Sequence, residues 1–127
     1  MRRTMATWTA AVAMLAATAW AQAAEKIDFA SLKQGLAAQK LVLVDVREAD
    51  EFAAGHVPGA INLPLSRLKV GDVPKPATER VVVMCRSGNR SARAVAALAA
   101  AGRDDVIDYA GSYLDWTAKG GPVVTGP

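Results

Sequence analysis

After residue 24 the hydrophobic positions fall into two patterns. Leu41-Val42-Leu43-Val44-Asp45-Val46 and Arg80-Val81-Val82-Val83-Met84 are short, nearly continuous apolar runs rich in Val. Runs of that length and composition suit strands buried on both faces, as in a parallel sheet. Between them lie stretches of helical period. In Ile27 to Gln39, Phe29, Leu32 and Leu36 share a face, and Asp28 or Ser31 can cap the start. Glu48 to Ala54 predicts a brief helix that Gly55 can end. Pro58-Gly59 predicts a turn, Ala60 to Leu63 a short strand, and Pro64 to Val70 a helical turn or two. Gly71 to Glu79, with Pro74 and Pro76, predicts a loop. Ser91 to Ala101 predicts a strong helix ended by Gly102. Val106 to Tyr109 predicts a third strand, and Gly111 to Lys119 a last helix stopped by Gly120-Gly121-Pro122. Strands alternating with helices imply an α/β fold: an open, mostly parallel sheet with helices on both faces. Ligands of such sheets sit beyond the carboxyl ends of the strands, which is where Cys85 falls.

The first 23 residues fit neither pattern. Arg2 and Arg3 precede an apolar run from Ala10 to Ala21, no charge occurs between Arg3 and Glu25, and Ala21-Gln22-Ala23 offers small residues where a signal peptidase inspects the chain. The expectation is a signal peptide over residues 1–23, cleaved after Ala23 with Ala21 as second choice, and a single domain over 24–127. A membrane anchor is the competing reading, but the run is short, Ala-rich and interrupted by threonines for a spanning helix. The mature protein is then expected in the periplasm, without stable membrane association. Loss of Arg2 and Arg3 leaves 13 basic against 12 acidic residues. A net charge of +1 gives no reason to expect nucleic acid as a partner.

Cys85 is the only cysteine, so no disulfide can form within the chain. A lone thiol in an oxidising compartment is exposed to oxidation and to pairing between chains. Its neighbours supply a reason for it. The segment Cys85-Arg86-Ser87-Gly88-Asn89-Arg90-Ser91 joins a buried strand to a helix, and Gly88 permits the backbone angles that turn several amides toward one point. Such a cup at a helix start binds anions and favours a thiolate over a thiol. Arg86 and Arg90 add positive charge. A thiolate in an anion cup suits attack on phosphorus or arsenic oxyanions, or on the outer sulfur of thiosulfate or a persulfide.

Two motifs resemble the rhodanese family: Asp45-Val46-Arg47-Glu48 with Glu51-Phe52 and Gly55-His56-Val57-Pro58-Gly59-Ala60-Ile61-Asn62-Leu63-Pro64, and the Cys85–Ser91 segment itself. Gly111-Ser112-Tyr113-Leu114-Asp115-Trp116 with Gly121-Pro122-Val123 is a weaker third match. The resemblance implies a rhodanese-like sheet and a small exported single-domain enzyme of the thiosulfate sulfurtransferase type. It implies Cys85 as nucleophile and persulfide carrier, and Arg86, Ser87, Gly88, Asn89 and Arg90 as the substrate-binding loop. It implies no organic cofactor and no metal; the lone His56 cannot build a metal site by itself. Its partners are a small sulfur donor and an acceptor such as cyanide or a thiol, with a thiol protein as a further candidate.

Asp45, Arg47 and Ser91 are assigned supporting roles: Asp45 accepting hydrogen bonds from the loop, and Arg47 pairing with an acid such as Glu51. His56 is expected to pin its own loop. Two other function classes stay open, a cysteine phosphatase or arsenate reductase and a non-enzymatic persulfide carrier. Four residues separate Cys85 from Arg90, against five in the cysteine phosphatases, which speaks against the former.

Overall fold

The computed structural model describes residues 24–127; the expected signal peptide lies outside them. Four strands form one sheet: β1 Leu41–Asp45, β2 Ile61–Asn62, β3 Arg80–Met84 and β4 Ile107–Asp108. Their order is β2-β1-β3-β4 and every pair is parallel. The central β1–β3 pair runs in register from Leu41 opposite Arg80 to Asp45 opposite Met84. The N-terminal segment adds a rung beyond β4. Lys26 bridges Asp108, the Ile27 amide donates to the Asp108 carbonyl at 3.1 Å, and the Asp108 amide to the Glu25 carbonyl at 2.8 Å.

The helices are α1 Phe29–Ala37, α2 Ala49–Ala54, α3 Asn89–Ala100 and α4 Ser112–Ala118. Alternation along the strands sends their side chains into two cores, one on each side of the sheet. Val44, Val46, Val81 and Val83 pack with Ala94, Val95 and Leu98 of α3. Leu43, Val82, Met84 and Ile107 pack with Leu32 of α1 and Trp116 of α4. Helices therefore cover both faces, as the pattern implies.

Boundaries differ from expectation by a residue or two, each for a local reason. Asp28, not Ser31, caps α1: its carboxylate accepts the Ser31 amide at 2.8 Å. The stretch after Pro64 splits into two short 3-10 turns, Leu65–Arg67 and Val70–Asp72. Helix α3 begins at Asn89, two residues early, because Gly88 adopts φ +99° immediately before it.

Candidate active site

Strand β3 delivers Cys85 to the carboxyl edge of the sheet with its side chain 1% exposed, against the α3 core. Residues 86 to 88 form the turn into α3. Gly88 is fixed there by two constraints: a positive φ, and the Ala110 carbonyl oxygen 2.3 Å from where a β-carbon would sit. That turn aims the Gly88 amide at Cys85 Sγ, 3.1 Å away. From the other side, Ser112 Oγ stands 3.7 Å from the sulfur, donates to the Tyr109 carbonyl at 2.8 Å, and accepts the Cys85 amide at 3.0 Å. The first amides of α4 hold the loop's carbonyls, Tyr113 to Cys85 at 2.9 Å and Leu114 to Arg86 at 3.1 Å.

Burial pushes the Cys85 thiol up. The Ser91 amide foremost and the Gly88 amide, with the Ser91 and Ser112 hydroxyls close to the sulfur, outweigh it and hold the group below its ordinary range. The site is thus an anion-stabilised thiol at the bottom of a shallow amide cup, suited to nucleophilic attack and to holding a charged sulfur.

The arginines are placed differently from one another. Arg86 is exposed, like Ser87 and Asn89. Arg90 is half-buried and engaged: its two terminal nitrogens grip Glu51 at 2.6 and 2.9 Å. Glu51 also accepts the Glu48 amide in a capping box at the start of α2. The Arg90 guanidinium foremost, with that amide, lowers Glu51 to about 2 against the opposing effect of burial.

Two expected supporting contacts take other forms. Asp45 does not bind the loop; it receives the amide, Nε and Nη2 of Arg47 at 2.8–3.1 Å. Arg47 does not pair with the Glu51 carboxylate, which Arg90 occupies. Its Nη2 instead donates to the Gly55 carbonyl at 2.7 Å and its Nη1 to the Glu51 carbonyl, and the guanidinium lies 4.1 Å from the centre of the Tyr113 ring. Both residues are nearly fully buried. The reason is reach: two residues apart at the end of β1, the two side chains meet each other, and the rest of the guanidinium turns to the nearby carbonyls. Ser91 is fully buried, its hydroxyl donating to the Gly88 carbonyl at 3.1 Å. His56 pins its loop as expected, with Nδ1 2.8 Å from the Phe52 carbonyl and its ring stacked on Phe52.

One residue of the site, Ser112, was not singled out from sequence. Ser112 carries a left-handed φ of +58° as a non-glycine. The Gly111-Ser112 pair before a helix was the available signal.

Comparison with known proteins shows relatives in sequence and in fold. The family model described as Rhodanese-like domain matches residues 28–119. A protein of Allochromatium vinosum named sulfurtransferase is 37% identical over 100 residues, covering 78% of this chain and 94% of its own. An uncharacterized protein of Synechocystis is 40% identical over 84 residues, which is 66% of this chain but 47% of that protein. The crystal structure of a rhodanese-related protein from Thermoplasma volcanium superposes with a TM-score of 0.69 at 32% identity, covering 79% of this chain and 97% of that one.

Proposed function

The chain belongs to the rhodanese-like domain family, and from that premise we propose that it is a thiosulfate sulfurtransferase working through a persulfide on Cys85. The observation that carries this reading is the buried sulfur under the Gly88 amide and the Ser112 hydroxyl, with its pKa lowered. In the first step the Cys85 thiolate attacks the outer sulfur of thiosulfate. The new S–S bond takes that sulfur, and the old S–S electron pair leaves with sulfite. In the second step an acceptor, cyanide or a thiolate, attacks the outer sulfur. Its departure restores the Cys85 thiolate. Both steps develop negative charge on the Cys85 sulfur or its persulfide. Donors fixed before the reaction stabilise such charge without reorganising.

Residues Arg86 to Arg90 form the donor-binding loop in this proposal, with Arg86 free to meet the dianion and Arg90 already committed to Glu51. Asp45 and Arg47 act on the scaffold, holding the turn that carries Gly55 and His56. We further propose export to the periplasm with residues 1–23 removed as a signal peptide; the supporting observation is the charge and apolar pattern alone.

Intact mass of the purified protein tests the chemistry. Thiosulfate should add one sulfur atom, and cyanide should remove it. Cys85→Ser should neither gain the mass nor turn over; sulfur transfer by that variant sinks the proposal.

A further inference from the structure

Two non-glycine residues among those described have a positive φ, Gln39 at +56° and Ser112 at +58°. Gln39 is exposed, just past the end of α1. Ser112 is fully buried and sits against Cys85. A side chain in the left-handed region carries backbone strain that its surroundings must impose, and such strain collects where a residue has work to do. What glycine could not supply at this position is the hydroxyl. Its oxygen is held from one side, where the Cys85 amide donates to it at 3.0 Å. Its hydrogen has two acceptors within reach, the Tyr109 carbonyl at 2.8 Å and Cys85 Sγ at 3.7 Å. The carbonyl does not depend on that hydrogen, because the Ser112 amide also donates there at 3.1 Å. Rotation about the Cβ–Oγ bond therefore carries the hydrogen from carbonyl to sulfur while the oxygen stays on the Cys85 amide. A charged sulfur attracts the hydrogen; a neutral one leaves it on the carbonyl.

We propose that Ser112 is a catalytic residue of the discharge step: its hydroxyl follows the negative charge on Cys85 Sγ and speeds the return of that charge when sulfur leaves. This rests on the sulfurtransferase reading above and gives one residue opposite effects on its two steps. During loading the Cys85 thiolate attacks the outer sulfur of thiosulfate and sulfite departs with the S–S electron pair. Negative charge passes from Sγ to the outer sulfur of the persulfide. A donor on Sγ holds that charge back and slows the step modestly. During discharge the acceptor attacks the outer sulfur, the bond to Sγ breaks, and its electron pair returns to Sγ. The same donor now stabilises the departing thiolate. A less basic thiolate is a weaker nucleophile and a better leaving group. Burial raises the Cys85 pKa, and the Ser112 hydroxyl is among the groups that lower it. The hydroxyl keeps its proton throughout, and no oxidant or reductant is required.

The test uses Ser112→Gly and Ser112→Ala. Both lack the hydroxyl, and only the first relieves the left-handed backbone. Loading by thiosulfate and discharge by cyanide are followed separately in single turnovers, at a pH where Cys85 is ionised in the unmodified protein and in both variants. Both variants should discharge about tenfold more slowly, the size of one lost charge-assisted hydrogen bond. They should load no more slowly, and up to about threefold faster, as the Brønsted slope of a thiolate nucleophile gives. This split sets the role apart from a structural one, since damage to the site slows both steps. Ser112→Gly should melt higher than Ser112→Ala while sharing its rates, so backbone relief and hydroxyl loss are read separately. Both steps slowed alike, or discharge unchanged, overturns the proposal. The pH dependence of Cys85 alkylation by iodoacetamide, which needs no sulfur chemistry, is read in parallel; its midpoint should rise in both variants. A fixed midpoint overturns the role of Ser112 even where sulfur transfer is confirmed. A raised midpoint in a protein that takes up no sulfur keeps the hydroxyl on the thiolate and refutes the sulfurtransferase reading instead.

Discussion

At the scale of single residues, the site works by aiming hydrogens at one sulfur. Ser112→Ala removes a hydroxyl that approaches Sγ and also accepts the Cys85 amide. The thiol titration, followed by thiolate absorbance, should move upward, and the amide left without a partner should destabilise the fold by about 1–3 kcal/mol. Arg90 leads to a different expectation. Its guanidinium is shared with Glu51, so its charge is partly spent before any donor arrives. Glu51→Gln should release that charge toward the loop and lower the apparent thiosulfate KM, measured by sulfite release. An unchanged or higher KM would show that Arg90 serves the scaffold alone. Cysteine, loop glycine and arginines were all legible in the sequence, because motif and spacing carry them. The partners were not: that Arg90, rather than Arg47, takes Glu51 depends on how far α2 sits from α3, which no local pattern encodes.

Among elements, the strand–turn–helix unit around Cys85 depends on Gly88 more than on any side chain it carries. A non-glycine at φ +99° is strained, and a β-carbon there meets the Ala110 carbonyl at 2.3 Å. Gly88→Ala must therefore shift the turn away from β4 and take the amide off the sulfur. Thermal unfolding should fall by several degrees, and persulfide loading by thiosulfate should drop far more than stability does. Full loading with a normal melting temperature would contradict this account. The elements themselves were readable within a residue or two, since Val-rich runs and three-to-four-residue spacing are local signals. The early start of α3 was not, because it follows from the fit of Gly88 against a residue twenty-two positions later.

For the whole molecule, the Glu51–Arg90 pair where α2 meets α3 ties stability to pH. Glu51 has a pKa of about 2 in the folded protein against an ordinary value of 4.5. A carboxyl depressed by folding stabilises above its unfolded pKa and loses that contribution as pH falls through the folded one. The Glu51 contribution should be complete above about pH 5 and disappear toward pH 2. Melting temperatures of the unmodified protein and of Glu51→Gln should therefore differ near neutrality and converge in acid. The Asp45–Arg47 pair is buried and clasps the Gly55 carbonyl, so Arg47→Met, which leaves a carboxylate alone in the core, should cost about 3–5 kcal/mol in denaturant unfolding.

The rung between Lys26 and Asp108 has a consequence for the order in which the chain can assemble. It ties the first described residues to the last strand. A chain made from its N-terminus holds Glu25 to Ile27 without a partner until nearly all of it has been synthesised. Closing so long a loop is slow compared with forming a helix. The edge of the sheet should be the last part to lock, and a nascent chain lacking β4 should stay open enough to be threaded through a pore. Pulsed hydrogen exchange during refolding should find the Ile27 and Asp108 amides protected after those of β1 and β3.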